Sequence, residues 1–308
     1  MRNIIFLIIL SSLVSCSSSE SKRSFASEKE ELKLDDNYNW VESLDFDKKV
    51  ETKYKPEKDE FDVKKVDKDT VLIKESISTL SAPTIEENLK EAEDPLVKIV
   101  GKCYQGKFEE ANILIDQVYA QFKNNTSYWN QVASCYYLKG DYSKAILFYN
   151  KSRDLDPKFV PPLNNLGVVY QKQGRFQKAL AAYKKANDMN AFSITPAFNL
   201  ARLYLQFGII AKAEPIIVGL NKKNDNDPNL INGLAHVYLL KNDYEKAVAT
   251  FKLLPKDFLV KPEVAINYAL SLKMLDKVDE AKTALSGVGE PTGELRTYFQ
   301  KVESFIKE

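Results

Sequence analysis

The residues of this chain whose types are suited to chemistry are few and isolated. The 308 residues include one histidine and three cysteines. His236 has no carboxylate or cysteine beside it at the spacing of a metal ligand or a catalytic partner, so we interpret it as a structural residue. Gly287, Gly289 and Gly293 follow no strand and lack the spacing of a phosphate-binding loop. The sequence therefore predicts no catalytic residue, no metal site, no cofactor and no enzymatic activity.

The elements that position these residues repeat every 34 residues. One position of the repeat carries a small residue in six copies: Ala111, Ala145, Ala179, Ala213, Ala247 and Ala281. A second position carries Ile99 and then the small residues Ala133, Gly167, Ala201, Ala235 and Ala269. The turn position carries residues that tolerate a left-handed backbone: Gly106, Gly140, Gly174, Gly208, Asn242 and Asp276. Because apolar residues recur at helical spacing on both sides of this turn, each copy predicts a hairpin of two amphipathic helices.

This register resembles the tetratricopeptide repeat, a helix–turn–helix unit of 34 residues. The resemblance implies an all-α fold, a six-repeat superhelix (an α-solenoid). The loop after residue 286 precedes an amphipathic helix over 294–307, which we expect to cover the apolar edge of the last repeat. The predicted organisation is a signal peptide over 1–15, a charged, disordered tether over 16–91, six repeats over 92–288 and a terminal solvating helix over 289–308.

The resemblance also implies a binding groove, because the first helices of such repeats line a concave surface. The positions that would face this groove are rich in amide side chains: Asn130, Gln131, Asn164, Asn165, Asn199, Asn232 and Asn267. Amides can pair with the backbone of an extended peptide whatever its side chains. The alternative interpretation is that these amides are ordinary solvated polar residues. Four cationic or titratable residues would lie along the same groove: Lys172, Arg202, His236 and Lys273. We expect them to contact an acidic group or a terminal carboxylate.

The N-terminus resembles that of an exported lipoprotein. Arg2 precedes a short apolar run that is too short to span a bilayer. The sequence Leu13-Val14-Ser15-Cys16 resembles the bacterial lipobox, which implies cleavage before Cys16 and lipidation of that cysteine. Ser17 follows it, rather than the aspartate that favours retention in the inner membrane. We therefore predict a protein anchored by lipid to the periplasmic face of the outer membrane.

The sequence makes less specific predictions for the two other cysteines and for the tether. Export permits a disulfide between Cys103 and Cys135, but both lie in apolar stretches, and we interpret them as small core residues. The sequence leaves open whether they are bridged. The tether holds scattered aromatic residues and a possible short strand over 71–73. Its charge is typical of a disordered segment, and its aromatics leave open a partner-binding segment that folds on contact.

Charge is divided unevenly along the chain. Residues 17–93 carry 14 Lys and Arg against 21 Asp and Glu, whereas residues 94–308 carry 29 against 22. Two interpretations stand: both parts are solvated surfaces, or the acidic tether folds back onto the basic repeats. Because the basic residues are dispersed and no nucleic-acid motif occurs, nucleic acid is not an expected partner.

The layout of a lipobox, repeats and a solvating helix resembles the pilotin lipoproteins of type IV pilus systems, which help the outer-membrane secretin to assemble. The resemblance implies a non-catalytic scaffold whose partners are envelope proteins, bound through extended peptide segments. Two further hypotheses stay open: an adaptor for enzymes that cleave or build peptidoglycan, and a component of a gliding-motility machine.

Overall fold

A computed structural model describes residues 92–190, 193–289, 291 and 293–308 of this chain. The signal peptide, Cys16, the tether and the possible strand at 71–73 lie outside these residues. The described ranges form helices and turns with no strand. They contain fourteen helices: α1 Pro95–Tyr104, α2 Phe108–Phe122, α3 Thr126–Lys139, α4 Tyr142–Leu155, α5 Pro161–Lys172, α6 Phe176–Met189, α7 Ile194–Gln206, α8 Ile210–Lys223, α9 Pro228–Leu240, α10 Tyr244–Phe251, α11 Lys256–Leu259, α12 Pro262–Lys273, α13 Val278–Ser286 and α14 Gly293–Lys307.

The predicted turn position separates the two helices of every hairpin. The backbone angle φ is positive at each of its residues: Gly106 (74°), Gly140 (87°), Gly174 (72°), Gly208 (68°), Asn242 (60°) and Asp276 (61°). A left-handed residue ends the first helix and redirects the chain, which is why glycine and, less favourably, Asn or Asp occupy this position. The prediction of six helical hairpins is confirmed.

Small residues hold the two helices of each hairpin close together. All six alanines of the first small position are at most 1% exposed. At Gly167 the contact leaves no room for a side chain, because an added Cβ atom would lie 2.5 Å from Cδ1 of Tyr183. Tyr183 is itself 1% exposed, so its ring fills the space that the missing side chain of Gly167 leaves.

The helices form two compact units, one that ends at Ala197 and one over Phe198–Glu308. The boundary falls inside α7. We call them the N-terminal and C-terminal units. Each unit has its own buried apolar clusters, and one cluster of the N-terminal unit contains Leu96, Ile99, Tyr128 and Val132.

A disulfide joins Cys103 on α1 to Cys135 on α3. The structure thus decides a bridge that the sequence left open. Both cysteines are also buried core residues, as interpreted, at 2% and 5% exposed. The two residues are 32 positions apart and their Cα atoms are 5.2 Å apart. Because this separation is close to the repeat length, stacking of α3 on α1 brings the two side chains face to face.

The C-terminal unit ends with the predicted covering helix. On α14, Tyr298, Val302 and Ile306 are at most 2% exposed and belong to the largest apolar cluster of the unit. This confirms the prediction of a capping helix. No helix in the described part of the chain is both long and apolar enough to cross a membrane.

The second helix of the fifth repeat is shorter than the repeat pattern predicts. Helix α10 has 8 residues, and the four-residue helix α11 follows it. Pro255 stands between them as the N-cap of α11. Proline lacks the N–H that a continued helix needs, and it disfavours helical geometry in the residue before it.

Candidate protein-binding surface

The amides that the sequence placed in the groove of the N-terminal unit are buried. Asn130, Gln131, Asn164 and Asn165 are at most 2% exposed. The Nδ2 atom of Asn165 donates to Oδ1 of Asn130 over 3.2 Å, and Nδ2 of Asn164 donates to Oδ1 of Asn165 over 3.3 Å. The bond from Asn165 to Asn130 joins α5 to α3, the first helices of adjacent repeats, whereas the bond from Asn164 to Asn165 lies within α5. Contact of these four residues with a peptide stays a prediction.

Two residues beside this amide chain were not singled out from the sequence. Oγ of Ser134 lies 3.0 Å from the Tyr149 hydroxyl, and it also donates to the backbone oxygen of Asn130 over 2.9 Å. Burial raises the pKa of Tyr149 well above its ordinary value. Ser134 stands four residues after Asn130 on α3, so the helical spacing was the available signal.

In the C-terminal unit, His236 and Asn267 are brought together and buried. Nδ2 of Asn267 lies 2.6 Å from Nε2 of His236 and donates to the backbone oxygen of Glu263 over 2.8 Å. Because the carbonyl of Glu263 can only accept, Nδ2 must face it, and the same NH₂ group then donates to a neutral ring nitrogen.

The chemistry of His236 follows from its burial. Burial lowers the pKa of His236 to about 4, and the charge of Arg202 acts in the same direction. The hydrogen bond with Asn267 opposes this shift only if a ring N–H donates to the amide oxygen. The bond from Nδ2 of Asn267 to Glu263 turns that oxygen away from the ring. A neutral, hydrogen-bonded ring agrees with our interpretation of His236 as a structural residue, whereas its contact with a peptide stays a prediction.

Five of the predicted groove residues keep exposed surface, Lys273 on α12 among them. Arg202 is exposed, and Lys172, Asn199 and Asn232 are partly exposed. The guanidinium carbon of Arg202 lies 5.8 Å from the centre of the Phe198 ring. The Oδ1 atom of Asn232 is buried and has no hydrogen-bond partner.

Lys273 belongs to the capping contact of the C-terminal unit. Its Nζ atom lies 5.5 Å from the centre of the Phe305 ring on α14. This geometry is a cation–π contact of modest strength.

No group of three or more His, Cys, Asp or Glu suited to hold a metal ion occurs in the described ranges. The polar residues that the structure brings together are amides, hydroxyls and one neutral imidazole. Such groups recognise other molecules by hydrogen bonding.

Comparison with known proteins identifies the repeats. The tetratricopeptide repeat family matches residues 126–159, 161–186 and 229–254. The chain therefore contains tetratricopeptide repeats, and its fold is that of scaffolds that bind other proteins. No curated protein matches the chain.

Solved structures of low sequence identity share this fold. Pseudomonas aeruginosa pilF is 17% identical, with a TM-score of 0.56 over 67% of this chain and 95% of pilF. A tetratricopeptide repeat protein from Parabacteroides merdae ATCC 43184 is 19% identical, with a TM-score of 0.50 over 72% of this chain and 90% of that one.

A third similar structure is a complex. A chain of the APC/C hetero-tetramer Cut9–Hcn1 is 20% identical, with a TM-score of 0.55 over 66% of this chain and 40% of the other. This chain thus spans less than half of that protein's length.

Proposed function

We propose that this chain is a non-catalytic, lipid-anchored scaffold that binds extended segments of envelope proteins and assists assembly of an outer-membrane machine, as pilotin lipoproteins do. The layout of lipobox, tetratricopeptide repeats and capping helix supports the proposal. The likeness of fold to Pseudomonas aeruginosa pilF, with a TM-score of 0.56 over 67% of this chain, agrees with it.

The observation that carries peptide binding is the Oδ1 atom of Asn232, which is buried and lacks a hydrogen-bond partner. An unpaired buried acceptor is costly, and a bound donor removes that cost. The side chain of Asn232 is partly exposed, so its rotation would present this oxygen to a backbone N–H of an extended peptide, which is such a donor. Asn199 and Arg202 stand on α7 of the same unit, and Arg202 is exposed, so it can meet an acidic side chain or a terminal carboxylate.

Two observations support a location outside the cytoplasm. Cys16 directly follows the N-terminal apolar run, as the cysteine of a lipobox does. A disulfide joins Cys103 to Cys135, and disulfides persist in oxidising compartments such as the periplasm. If the anchor is the lipid on Cys16, then Cys16→Ala releases the protein from membranes; continued membrane association of that variant would contradict the anchor.

The partner is tested by capture from crosslinked envelopes. The tagged, lipidated full chain is compared with the double variant Asn199→Ala, Asn232→Ala, and captured proteins are identified by mass spectrometry. The exposed loop variant Asn226→Ala is the matched control. We expect a secretin or pilus component that the double variant loses at least tenfold and the control keeps.

The same experiment distinguishes the other hypotheses. Peptidoglycan enzymes as the leading partners, without a secretin, would replace the pilotin proposal by the adaptor. Gliding-motility components would replace it by the third hypothesis. Equal capture by the wild type and the double variant would show that Asn199 and Asn232 do not bind the partner.

A further inference from the structure

An exposed apolar segment lies where the second helix of the fifth repeat is interrupted. Leu253 is 70% exposed, more than any other large apolar side chain of the described residues, and Val260 is 49% exposed. Phe258 and Leu259 between them are partly exposed. Single exposed apolar residues are ordinary in soluble proteins, but here four of them stand close together in the chain. We call residues 252–261, which include the short helix α11, the apolar ridge.

The apolar ridge has a fixed place along α13. At one end, Nζ of Lys252 lies 3.5 Å from Oε2 of Glu280 in the first turn of α13. At the other end, a Cβ atom built on Gly287, the C-cap of α13, would lie 3.7 Å from Cγ1 of Val260. Leu254 is 5% exposed and belongs to the core cluster of the C-terminal unit. The ridge is therefore held against the last repeat from below, while its outer side chains stay exposed.

The apolar ridge is basic in a unit that is otherwise balanced. It carries three Lys against one Asp, whereas the rest of the C-terminal unit carries twelve Lys and Arg against thirteen Asp and Glu. Lys256 and Lys261 are exposed, and neither forms an ion pair within the described part of the chain. Nζ of Lys261 lies 3.9 Å from the centre of the Phe258 ring. Positive charge beside exposed apolar side chains complements a surface that is both anionic and apolar.

The form and the backbone of the apolar ridge argue against a peptide or a second copy of the chain as its partner. Peptide and small-molecule sites are concave, whereas no neighbouring residue encloses Leu253. The backbone N–H groups of Leu253 and Val260 already donate to the carbonyl oxygens of Thr250 and Lys256, over 3.1 and 3.3 Å, so they cannot pair with an added strand. Two exposed apolar side chains also supply far less than the roughly 800 Å² that each partner of a stable protein complex buries.

A phospholipid surface meets these conditions. Its acyl chains deform around a protruding side chain, and backbone groups that are already paired enter an apolar phase at little cost. We propose that the apolar ridge binds the surface of a membrane that contains anionic phospholipid, with Leu253 and Val260 among the acyl chains and Lys256 and Lys261 at the headgroups. The inference rests on the proposed function only in that a lipid on Cys16 would bring the chain to such a surface. Attachment there would make a contact effective that is weak by itself.

An environment-sensitive fluorophore on the ridge tests the contact. In the lipidated full chain Cys103 and Cys135 are bridged and Cys16 carries the lipid, so the variant Val260→Cys has one free thiol for the label. The variant Asn226→Cys, in an exposed loop of the same unit, is the matched control. With excess phosphatidylethanolamine vesicles that contain phosphatidylglycerol, we expect the emission at position 260 to rise at least twofold and that at position 226 to stay unchanged.

The same samples separate this proposal from the proposed function. Flotation of the chain with the vesicles reports the lipid anchor, so loss of flotation counts against the anchor. Because the vesicles are in excess, an unchanged emission at position 260 overturns the ridge contact whether or not the chain floats. Equal rises at positions 260 and 226 would indicate adsorption without a preferred face and would also overturn it.

Substitutions in the labelled chain test the two parts of the contact. Leu253→Asp should abolish the emission rise without a change in thermal midpoint, whereas Leu147→Asp, at a leucine that is 61% exposed outside the ridge, should keep it. Lys256→Glu should reduce the rise to the level seen on vesicles without phosphatidylglycerol. The exposed residue Lys151 gives the matched control Lys151→Glu, which should behave as the wild type. A rise that survives Leu253→Asp or Lys256→Glu would contradict the proposal.

A photoreactive side chain at position 260 distinguishes the other occupants in intact cell envelopes. Illumination should attach phospholipid to the chain, and mass spectrometry of the modified peptide identifies the adduct. Adducts with a second copy of the chain, without phospholipid, would show that the ridge is a self-association surface and that the proposal is wrong. Adducts with another protein, again without phospholipid, would replace the membrane by that protein as the occupant.

Discussion

The hydroxyl of Tyr298 donates a hydrogen bond to Oδ1 of Asn267 over 2.6 Å. Asn267 is fully buried, and its NH₂ group contacts both His236 and the backbone oxygen of Glu263. One asparagine therefore connects α9, α12 and the capping helix α14. The polar groups of this buried site satisfy one another, which is why the capping helix has a defined place on the last repeat.

Removal of the Tyr298 hydroxyl should destabilise this site. In Tyr298→Phe, Oδ1 of Asn267 stays buried without a donor, at a cost of about 1–3 kcal/mol. Urea denaturation followed by circular dichroism measures the change. The matched control is Tyr244→Phe, which removes an exposed hydrogen bond to Asn242 and should cost about 0.5 kcal/mol or less. Equal losses in both variants would contradict the role of Tyr298.

The neutral state of His236 predicts a dependence of stability on pH. The pKa of His236 is about 4 in the folded chain, against an ordinary value of 6.5. As pH falls from 6.5 to 4, the unfolded chain takes up a proton that the folded chain does not bind, so the free energy of unfolding decreases. The decrease is about 3.5 kcal/mol at most, at roughly 1.4 kcal/mol per unit of pKa.

His236→Gln removes this titration and keeps an acceptor for Asn267. The difference in free energy of unfolding between wild type and variant should shrink or reverse as pH falls from 7.5 to 4.5. Urea midpoints of both proteins across this range measure it. Other titrating groups are common to both proteins, so parallel pH curves would count against a neutral, buried His236.

We expect substitution by alanine to have opposite effects on stability at Gly167 and at Gly219. In Gly167→Ala the new Cβ would lie 2.5 Å from ring atoms of the buried Tyr183, and overpacking of this kind costs about 1–3 kcal/mol. At Gly219, inside α8, nothing lies within 4 Å of the new Cβ. Gly219→Ala should therefore stabilise the chain by about 0.5–1 kcal/mol. The thermal midpoints of both variants measure these effects. A change of the same sign in both midpoints would refute the close approach at Gly167.

The turn residues predict a backbone effect that does not involve contacts. At Gly140, φ is 87° and no atom lies within 4 Å of an added Cβ, so Gly140→Ala should cost about 1 kcal/mol from backbone strain alone. At Asp276, φ is 61°, and Asp276→Gly should be neutral or stabilising by up to about 1 kcal/mol. Chemical denaturation checks both. A stabilising Gly140→Ala would argue against the left-handed turn.

The disulfide predicts that reduction weakens the first repeats. It closes a loop between residues 32 apart in sequence, and its loss should lower the free energy of unfolding by about 2–4 kcal/mol. Urea denaturation of wild type with and without reductant measures this, and the double variant Cys103→Ala, Cys135→Ala should not respond to reductant. Alkylation of both thiols in oxidised, denatured protein would contradict the bridge.

Much of the fold could be predicted because its signals are local. The six residues of the turn position, the first Gly106 and the last Asp276, mark the turns by a backbone preference that each residue has on its own. The alanines from Ala111 to Ala281 mark the helix contact by side-chain volume. Both signals recur at a fixed spacing, so the number and order of the hairpins follow without knowledge of any long-range contact.

The candidate site could be predicted only in part, because the repeat position gives a residue's place on its helix but not its depth. Asn130, Asn164 and Asn267 were placed on the expected first helices, yet all three are at most 2% exposed. Asn199 and Arg202 keep exposed surface. Depth depends on which neighbouring helices and side chains cover the residue, and the pattern of a single repeat does not contain that information.

The sequence by itself determined the helical hairpins, their 34-residue register and the capping helix, because turn chemistry and helical periodicity act over a few residues. The tertiary structure alone decided the bridge from Cys103 to Cys135, the bond from Tyr298 to Asn267 and the neutral state of His236. Each of these depends on the distance and rotation between helices that are 30 or more residues apart in the chain. Packing of whole helices sets such relationships, and a side chain has no preference of its own that would reveal them.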